Sequence, residues 1–206
     1  MSKERTPARI AVFISGSGSN LQALIDASKQ GVLAARIVWV VSSSEKAYGL
    51  MRAQNEGIDT FIYRHQNYPT PELAADDLLA RLMERSIEYI ALAGFLKLVP
   101  GKVVAAFRGR IANIHPALLP RYGGKGMYGH HVHEAVLAAG DKESGATVHL
   151  VDEVFDHGMI LEQARVPVLP GDTPDTLAAR VLEQEHQLYP RALNKLIQGE
   201  YEVRNA

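Results

Sequence analysis

Asn113 and His115 flank Ile114 in the string NIHP. At this period-two spacing an extended chain turns both polar side chains to one side and Ile114 to the other. A carboxamide beside an imidazole suits carbonyl chemistry. The amide NH₂ donates to an attacked carbonyl oxygen as it gains charge, and the ring moves protons near neutral pH. The same two residue types also satisfy a turn or a buried polar network, and the pair alone does not choose. Asp156, in VDEVFDHG, follows an alternating run and is placed to fold back and orient His115 or a water, with Gly158 relaxing the turn. A solvated turn aspartate capping local amides is the other reading of it. Asp152 and Glu153 are neighbouring acidic candidates, or else a like-charged exposed loop.

A second cluster lies near the amino terminus, where SGSGSN at 15–20 interrupts an apolar run. Gly16 and Gly18 let the backbone approach an anion, and amides opening the following helix can donate to phosphate oxygens. Ser17, Ser19 and Asn20 are placed to supplement them. The string is neither GxGxxG nor a Lys-bearing P-loop, and a small-residue turn with Ser19 or Asn20 capping the helix fits the same letters. His130, His131 and His133 crowd into HHVH, with His149 and His157 further on. HExxH is absent and no acidic framework accompanies them, so no metal is expected and His130 and His133 are assigned to a helix start or loop.

The elements that must position these groups read as an alternation of strands and helices. Ile10 to Ile14 is a buried strand, LQALIDASKQG a helix stopped at Gly31, and Ala35 to Val41 a second strand. SSSEKAYGLMRAQNEG carries helical spacing, and Thr60 to Tyr63 a third strand. Pro69 and Pro71 mark a turn before a helix over Glu72 to Arg85. Tyr89 to Ala93 is apolar throughout, as a central parallel strand covered on both faces should be. Repeated strand and crossover-helix units favour a mostly parallel sheet. Beyond Pro100, Val103 to Phe107 is a short helix, Ile111 to Ile114 the strand that delivers His115, and Val132 to Ala139 a helix stopped by Gly140. In GATVHLV, Ala146, Val148 and Leu150 share one face while Thr147, His149 and Val151 share the other, with ARVPV at 164–168 as an antiparallel partner. The last helix is expected from Asp175 to Tyr189, bent or restarted at Pro190, with a frayed tail after about Gly199.

A chain of 206 residues that is 47% hydrophobic can bury one substantial core. Its 22 Lys and Arg against 23 Asp and Glu give no general pull toward nucleic acid or an anionic membrane. The absence of Cys excludes disulfides, a thiolate nucleophile and Cys-ligated zinc. The opening MSKERTPAR leads into a short strand in place of a long apolar leader, and no run approaches the roughly 18 apolar residues of a membrane span. A cytoplasmic protein without membrane or nucleic-acid partners is expected.

The strings ISGSGSNLQALID, ALAGFLKLVP, NIHPALLPRYGG, GATVHLVDEVFDHGMI and EQEH, in this order from about Ile10 to Pro190, resemble the phosphoribosylglycinamide formyltransferases. NIHPALLP alone indicates the wider folate-dependent formyltransferases, and its combination with SGSGSN points to the glycinamide ribonucleotide branch. The resemblance implies an α/β, Rossmann-like three-layer fold with a mostly parallel central sheet and an antiparallel C-terminal portion. One formyltransferase domain is implied over residues 1–206, with a phosphate-binding half at about 10–100 and a catalytic and folate-binding half at 101–190. It implies transfer of the formyl group of 10-formyltetrahydrofolate to glycinamide ribonucleotide without a metal, by a monomer or homodimer.

The resemblance assigns catalysis to Asn113, His115 and Asp156, and phosphate contacts to Gly18, Ser19 and Asn20. Glu185 is assigned to the amide or ribose portion of the nucleotide. Folate is placed along Leu92, Phe95, Lys97, Leu98 and Val99 and along Asp152, Glu153, Asp156 and Asn113. The chain departs from the pattern in two places: KGMYGHHVH lengthens the loop around 125–132, and Pro71 stands where some relatives carry an Arg near the phosphate, leaving Arg64 or backbone amides for that task. The neighbouring readings are another amine formyltransferase, a formylfolate hydrolase and a noncatalytic folate- or nucleotide-binding module. A formylmethionyl-tRNA-forming enzyme is disfavoured because no room is expected for an RNA-binding domain.

Overall fold

In chain order, the computed structural model has β1 (Ala8–Ile14), α1 (Ser19–Lys29), β2 (Ala35–Ser42), α2 (Tyr48–Asn55), β3 (Asp59–Ile62), α3 (Pro71–Glu84), β4 (Tyr89–Leu92), α4 (Gly101–Ala106) and β5 (Ile111–His115). There follow α5 (His130–Ala138), β6 (Glu143–Leu150), β7 (Ile160–Pro167) and α6 (Pro174–Gln198). Residues 6–201 are described. The strands form one seven-stranded sheet in the order β3-β2-β1-β4-β5-β6-β7. Pairings among β3, β2, β1, β4 and β5 are parallel, and β6 and β7 join antiparallel.

The sheet is covered on both faces. Ile10, Val12 and Ile14 of β1 pack with Leu21 and Leu24 of α1 and with Val181, Leu188 and Leu193 of α6. Ala11 and Phe13, pointing the other way, join Leu78 and Leu82 of α3 and Val103 of α4. This alternation makes β1 apolar throughout, since a strand buried on both sides has no position left for a polar residue. The expected faces of β6 are observed: Ala146, Val148 and Leu150 enter the first core, which leaves Thr147 and His149 on the opposite face with Asn113 and His115. From β1 the chain crosses outward to β2, and from β4 it crosses the other way to β5, so the order reverses between β1 and β4. Ligands bind outside the carboxyl ends of the strands at such a reversal.

Several boundaries differ from the sequence expectation for identifiable reasons. α1 opens at Ser19, two letters before the apolar periodicity, because Gly18 adopts the left-handed φ of 70° that turns the chain into the helix. Gly18 is therefore the N-cap, and neither Ser19 nor Asn20 caps the helix with its side chain. Pro71 is the first residue of α3, with Thr70 Oγ1 accepting from the Leu73 amide, a position where the missing N–H costs nothing. β7 starts at Ile160, ahead of the expected Ala164, because the hairpin with β6 extends back to pair Ile160 with His149. α6 does not stop at Tyr189 but continues to Gln198 with Pro190 inside it. Proline removes one helical hydrogen bond, yet Tyr189, Pro190, Ala192, Leu193 and Leu196 are all buried, and this packing outweighs the lost bond. Tyr201, in the tail expected to fray after about Gly199, donates its hydroxyl to Glu162; residues 202–206 and 1–5 lie outside the described residues.

The Tyr189 hydroxyl, fully buried, lies 3.0 Å from the Leu92 carbonyl and 2.9 Å from that of Ala112, so α6 is tied to the carboxyl ends of β4 and β5. Tyr189→Phe removes this tie between α6 and the strand ends. A loss of about 1–2 kcal/mol in unfolding free energy is expected from urea denaturation, and an unchanged midpoint would mean the bond carries no net stability.

Candidate active site

A cleft of about 870 Å³ opens along the carboxyl ends of β1, β4 and β5. Its floor is the end of β5. Antiparallel register sets Asn113 opposite His149 and His115 opposite Thr147, and the preceding β4 pairing sets Leu92 beside Asn113. The Asn113 amide nitrogen lies 3.0 Å from His149 Nε2 and 3.4 Å from Asp156 Oδ1. His149 Nδ1 is 2.8 Å from the Leu150 carbonyl, which only accepts, so this nitrogen carries the proton and Nε2 is free to accept from Asn113. The carboxamide is thereby held with its NH₂ toward Asp156. Its longer bond is the one an incoming carbonyl oxygen can replace.

Asp156 reaches this point because the β6–β7 connection turns back at φ 54° there, a left-handed conformation uncommon outside glycine. Its Oδ2 accepts from the Gly124 amide at 2.9 Å and stands 3.6 Å from His115 Nδ1. Burial opposes ionisation of Asp156, but the adjoining His149 and His115 rings and the Gly124 amide outweigh it and hold the carboxyl below the ordinary carboxylate range. His115 behaves in the opposite sense. Burial lowers its pKa and wins over the Asp156 charge and the Tyr122 carbonyl, both of which raise it. A neighbouring carboxylate favours imidazolium, but desolvation is the larger effect here, so the resting ring is neutral.

The loop after β1 supplies the other end of the cleft. The Gln22 amide closes the first turn of α1 on the Gly18 carbonyl, so the Ser19 and Asn20 amides precede the helical bonding ladder at the positive end of the helix. α2 comes unusually close behind: Gly49 N–H donates to the Gly16 carbonyl at 3.1 Å, and a Cβ on Gly18 would lie 2.6 Å from Gly49 Cα. Glycine is required at 18 by both φ and space. Across the cleft, the buried Glu185 accepts from Asn20 Nδ2, and burial raises its pKa despite that bond. Asn20 Oδ1 is buried without a protein partner.

The expected residues Gly18, Ser19, Asn20, Leu92, Phe95, Lys97, Leu98, Val99, Asp152 and Glu185 line the same cleft as the central trio. Glu153 is exposed beside the turn in which Asp152 accepts from the Val154 amide, and it is not among the residues lining the cleft. Arg64 does not line the cleft either, being paired with Glu45, and Pro71 sits away from it at the start of α3. The basic side chain nearest the phosphate loop is Arg52, whose Nε donates to the Ser17 carbonyl at 2.9 Å. The lengthened segment Gly124 to His130 forms one wall, and His130 opens α5 and pairs with Asp175 at 3.0 Å. Among the described residues no cluster of three or more His, Asp or Glu could hold a metal, and no helix is long and apolar enough to cross a membrane.

Sequence reasoning missed His149, Gly124 and Tyr122 as parts of the site. The sequence shows His149 as an alternating residue and as one of several histidines, since its meeting with Asn113 depends on a strand register that spacing cannot give. His133, buried and lining the cleft, has a pKa lowered to about 4, first by burial and then by its proximity to the His130 and His115 rings, so it is neutral.

The sheet reversal, the helix terminus free for an anion and the carboxamide, imidazole and carboxylate group form an α/β protein whose cleft brings together the groups that acyl transfer requires. Comparison with known proteins is specific. The profile described as Formyl transferase matches residues 8–193. The chain is 38% identical to phosphoribosylglycinamide formyltransferase of Haemophilus influenzae over 96% of the chain and 91% of that protein. It is 44% identical to the chloroplastic phosphoribosylglycinamide formyltransferase of Vigna unguiculata over 91% of the chain, and spans 60% of that longer protein. The crystal structure of phosphoribosylglycinamide formyltransferase from Brucella melitensis is 47% identical and superposes with a TM-score of 0.84, covering 91% of this chain and 94% of that one. The chain belongs to the formyl transferase family and, within it, to the phosphoribosylglycinamide formyltransferases.

The balance of burial against charge at His115 gives a prediction. A histidine whose folded pKa is depressed takes up its proton only at more acidic pH. NMR titration of the His115 ring is expected to give a midpoint below the ordinary 6.5, and Asp156→Asn, which removes a raising charge, is expected to move it lower still. A midpoint that rises on this substitution would contradict the assignment.

Proposed function

We propose that this chain transfers the formyl group of 10-formyltetrahydrofolate to the amine of glycinamide ribonucleotide, giving N-formylglycinamide ribonucleotide and tetrahydrofolate. The observation that carries the reading is the shared cleft: an anion-ready helix terminus at Gly18 to Asn20 and an apolar strip at Leu92, Phe95, Leu98 and Val99 both open onto Asn113, His115 and Asp156. The nucleotide phosphate takes the Ser19 and Asn20 amides. Glu185 and the unpartnered Asn20 Oδ1 take donors from the amide or ribose. The pterin lies against the apolar strip, with Asp152 beside it and Lys97 at the rim toward the folate's anionic tail. The substrates are small molecules, and the charge balance favours neither nucleic acid nor membrane as a partner.

The neutral amine attacks the formyl carbon, forming a C–N bond and a tetrahedral oxyanion. Asn113 Nδ2 exchanges its long bond to Asp156 for one to that oxygen, and the preset donor stabilises the charge where it develops. The proton shed by the new ammonium passes through His115 Nδ1, whose charged form Asp156 supports, and through water to N10 of the folate as the carbon–N10 bond breaks. The carbon–oxygen double bond then re-forms. A neutral resting ring is the form able to accept that proton. The chain's own groups supply the proton path and the oxyanion donor, and neither a covalent nucleophile nor a metal enters the scheme.

Purified protein is incubated with 10-formyltetrahydrofolate, with and without glycinamide ribonucleotide, following both folate product and formylated nucleotide. Equal yields of both products, dependent on the amine, are expected. Folate turnover without the amine would indicate a hydrolase, and binding without turnover a noncatalytic module. Asn113→Ala is expected to lower kcat by roughly 100-fold with little change in nucleotide affinity; near-normal kcat with a raised KM would remove the oxyanion role.

A further inference from the structure

The side chain assigned to proton transfer is oriented from outside the cleft. His115 Nε2 lies 2.7 Å from the backbone carbonyl of Tyr122. A carbonyl oxygen only accepts, so Nε2 is the protonated nitrogen of the neutral ring and Nδ1 is left bare, facing Asp156. The carbonyl at 122 therefore fixes both the ring plane and the tautomer. Its own position is not one the chain adopts freely, since Tyr122 has φ 57°, a left-handed conformation that a bulky residue rarely takes without support.

The support comes from Asp141. The Tyr122 hydroxyl donates to Asp141 Oδ2 at 2.7 Å, and Arg121 donates to Asp141 Oδ1 and to the Tyr122 hydroxyl oxygen, both at 3.0 Å. Arg121 also lies over the Tyr122 ring, 5.1 Å from its centroid. Asp141 stands between α5 and β6, and its amide donates back to the Val136 carbonyl, so it is anchored to elements of the core. Neither Arg121, Tyr122 nor Asp141 lines the catalytic cleft; all three line a separate crevice of about 470 Å³ on the far side of the 118–122 loop. Burial and the bond to Asp141 raise the Tyr122 phenol pKa, which keeps the hydroxyl a donor.

We propose that Tyr122 and Asp141 are positioning residues for His115: the phenol–carboxylate latch holds the Tyr122 carbonyl where it keeps the imidazole proton on Nε2, leaving Nδ1 to receive the proton of the reacting amine. The proposal rests on the role given to His115 above. The groups facing the ring are Asp156 from the β6–β7 connection, His149 from β6, His133 from α5 and the Tyr122 carbonyl. Of these the Tyr122 carbonyl is the one within hydrogen-bonding distance, so it dominates the tautomer. The latch also gives a function to Arg121-Tyr122 and to Asp141, which the chemistry of the cleft leaves without one.

The test uses the full chain with Tyr122→Phe, which removes one hydroxyl and keeps the ring, with Asp141→Asn, and with the two combined. Each single substitution is expected to lower kcat about tenfold with both KM values within about twofold, and the double to be no worse than either single, because both break one latch. The ¹⁵N spectrum of the His115 ring, recorded without substrate at a pH where it is neutral, is expected to change from an Nε2-protonated form to a tautomer mixture in each variant. Unchanged kcat, additive losses in the double, or a fall in kcat with an unaltered ring spectrum would each overturn the proposal. His115→Ala separates it from the reading it rests on. Full turnover in that variant sinks both, whereas its loss beside a normal Tyr122→Phe sinks the latch alone.

Discussion

The antiparallel pairing of β5 with β6 is the constraint on which the site depends. A parallel strand at this edge would bring its own carboxyl end to the cleft, and the residues across from Asn113 and His115 would be different ones. The antiparallel hairpin instead lays His149 opposite Asn113 and Thr147 opposite His115, then returns through a turn that delivers Asp156 to both. Because side chains alternate along a strand, a slip of one residue in β6 would send Thr147 and His149 toward α6 and bring Val148 into the cleft. The pattern Ala146, Val148, Leu150 forbids that slip by its burial in the core. Packing on one face of the hairpin thus specifies chemistry on the other.

Two opposing electrostatic effects then set the protonation states. Desolvation acts against charge on His115 and on Asp156 alike, but Asp156 has a backbone amide and two rings to outweigh it, while the Tyr122 carbonyl and one carboxylate beyond hydrogen-bonding distance do not outweigh it at His115. A neutral base beside an ionised acid is the outcome. Each of the two rings has one nitrogen committed to a backbone carbonyl, His115 through Nε2 to Tyr122 and His149 through Nδ1 to Leu150, and this fixes which nitrogen faces the reacting centre. The arrangement is set before substrate arrives, as the oxyanion role proposed for Asn113 requires.

Much of this was legible in the sequence. The apolar runs at Ile10–Ile14 and Tyr89–Ala93 announce strands covered on both sides, and the period-two spacing of Asn113 and His115 announces a shared face. The glycine loop was legible as a tight turn opening a helix, although its capping residue is Gly18 in place of the Ser or Asn that local propensity favours. What stayed hidden depends on long-range contact. The Tyr189 bond to β4 and β5, the continuation of α6 through Pro190, the outward position of Glu153 and the pairing of Arg64 with Glu45 are decided by packing between segments far apart in the chain. Tyr122 is the clearest case, because its left-handed backbone is imposed by the fold.

The central claim is that a preset carboxamide meets the formyl oxygen while the helix terminus at Gly18 holds the nucleotide phosphate. A crystal structure of the chain with glycinamide ribonucleotide and a non-transferring 10-formyl folate analogue tests it most directly. The account predicts Asn113 Nδ2 within about 3 Å of the formyl oxygen, its bond to Asp156 released, and the phosphate on the Ser19 and Asn20 amides. A formyl oxygen turned away from Asn113, with the carboxamide still bonded to Asp156, would contradict it.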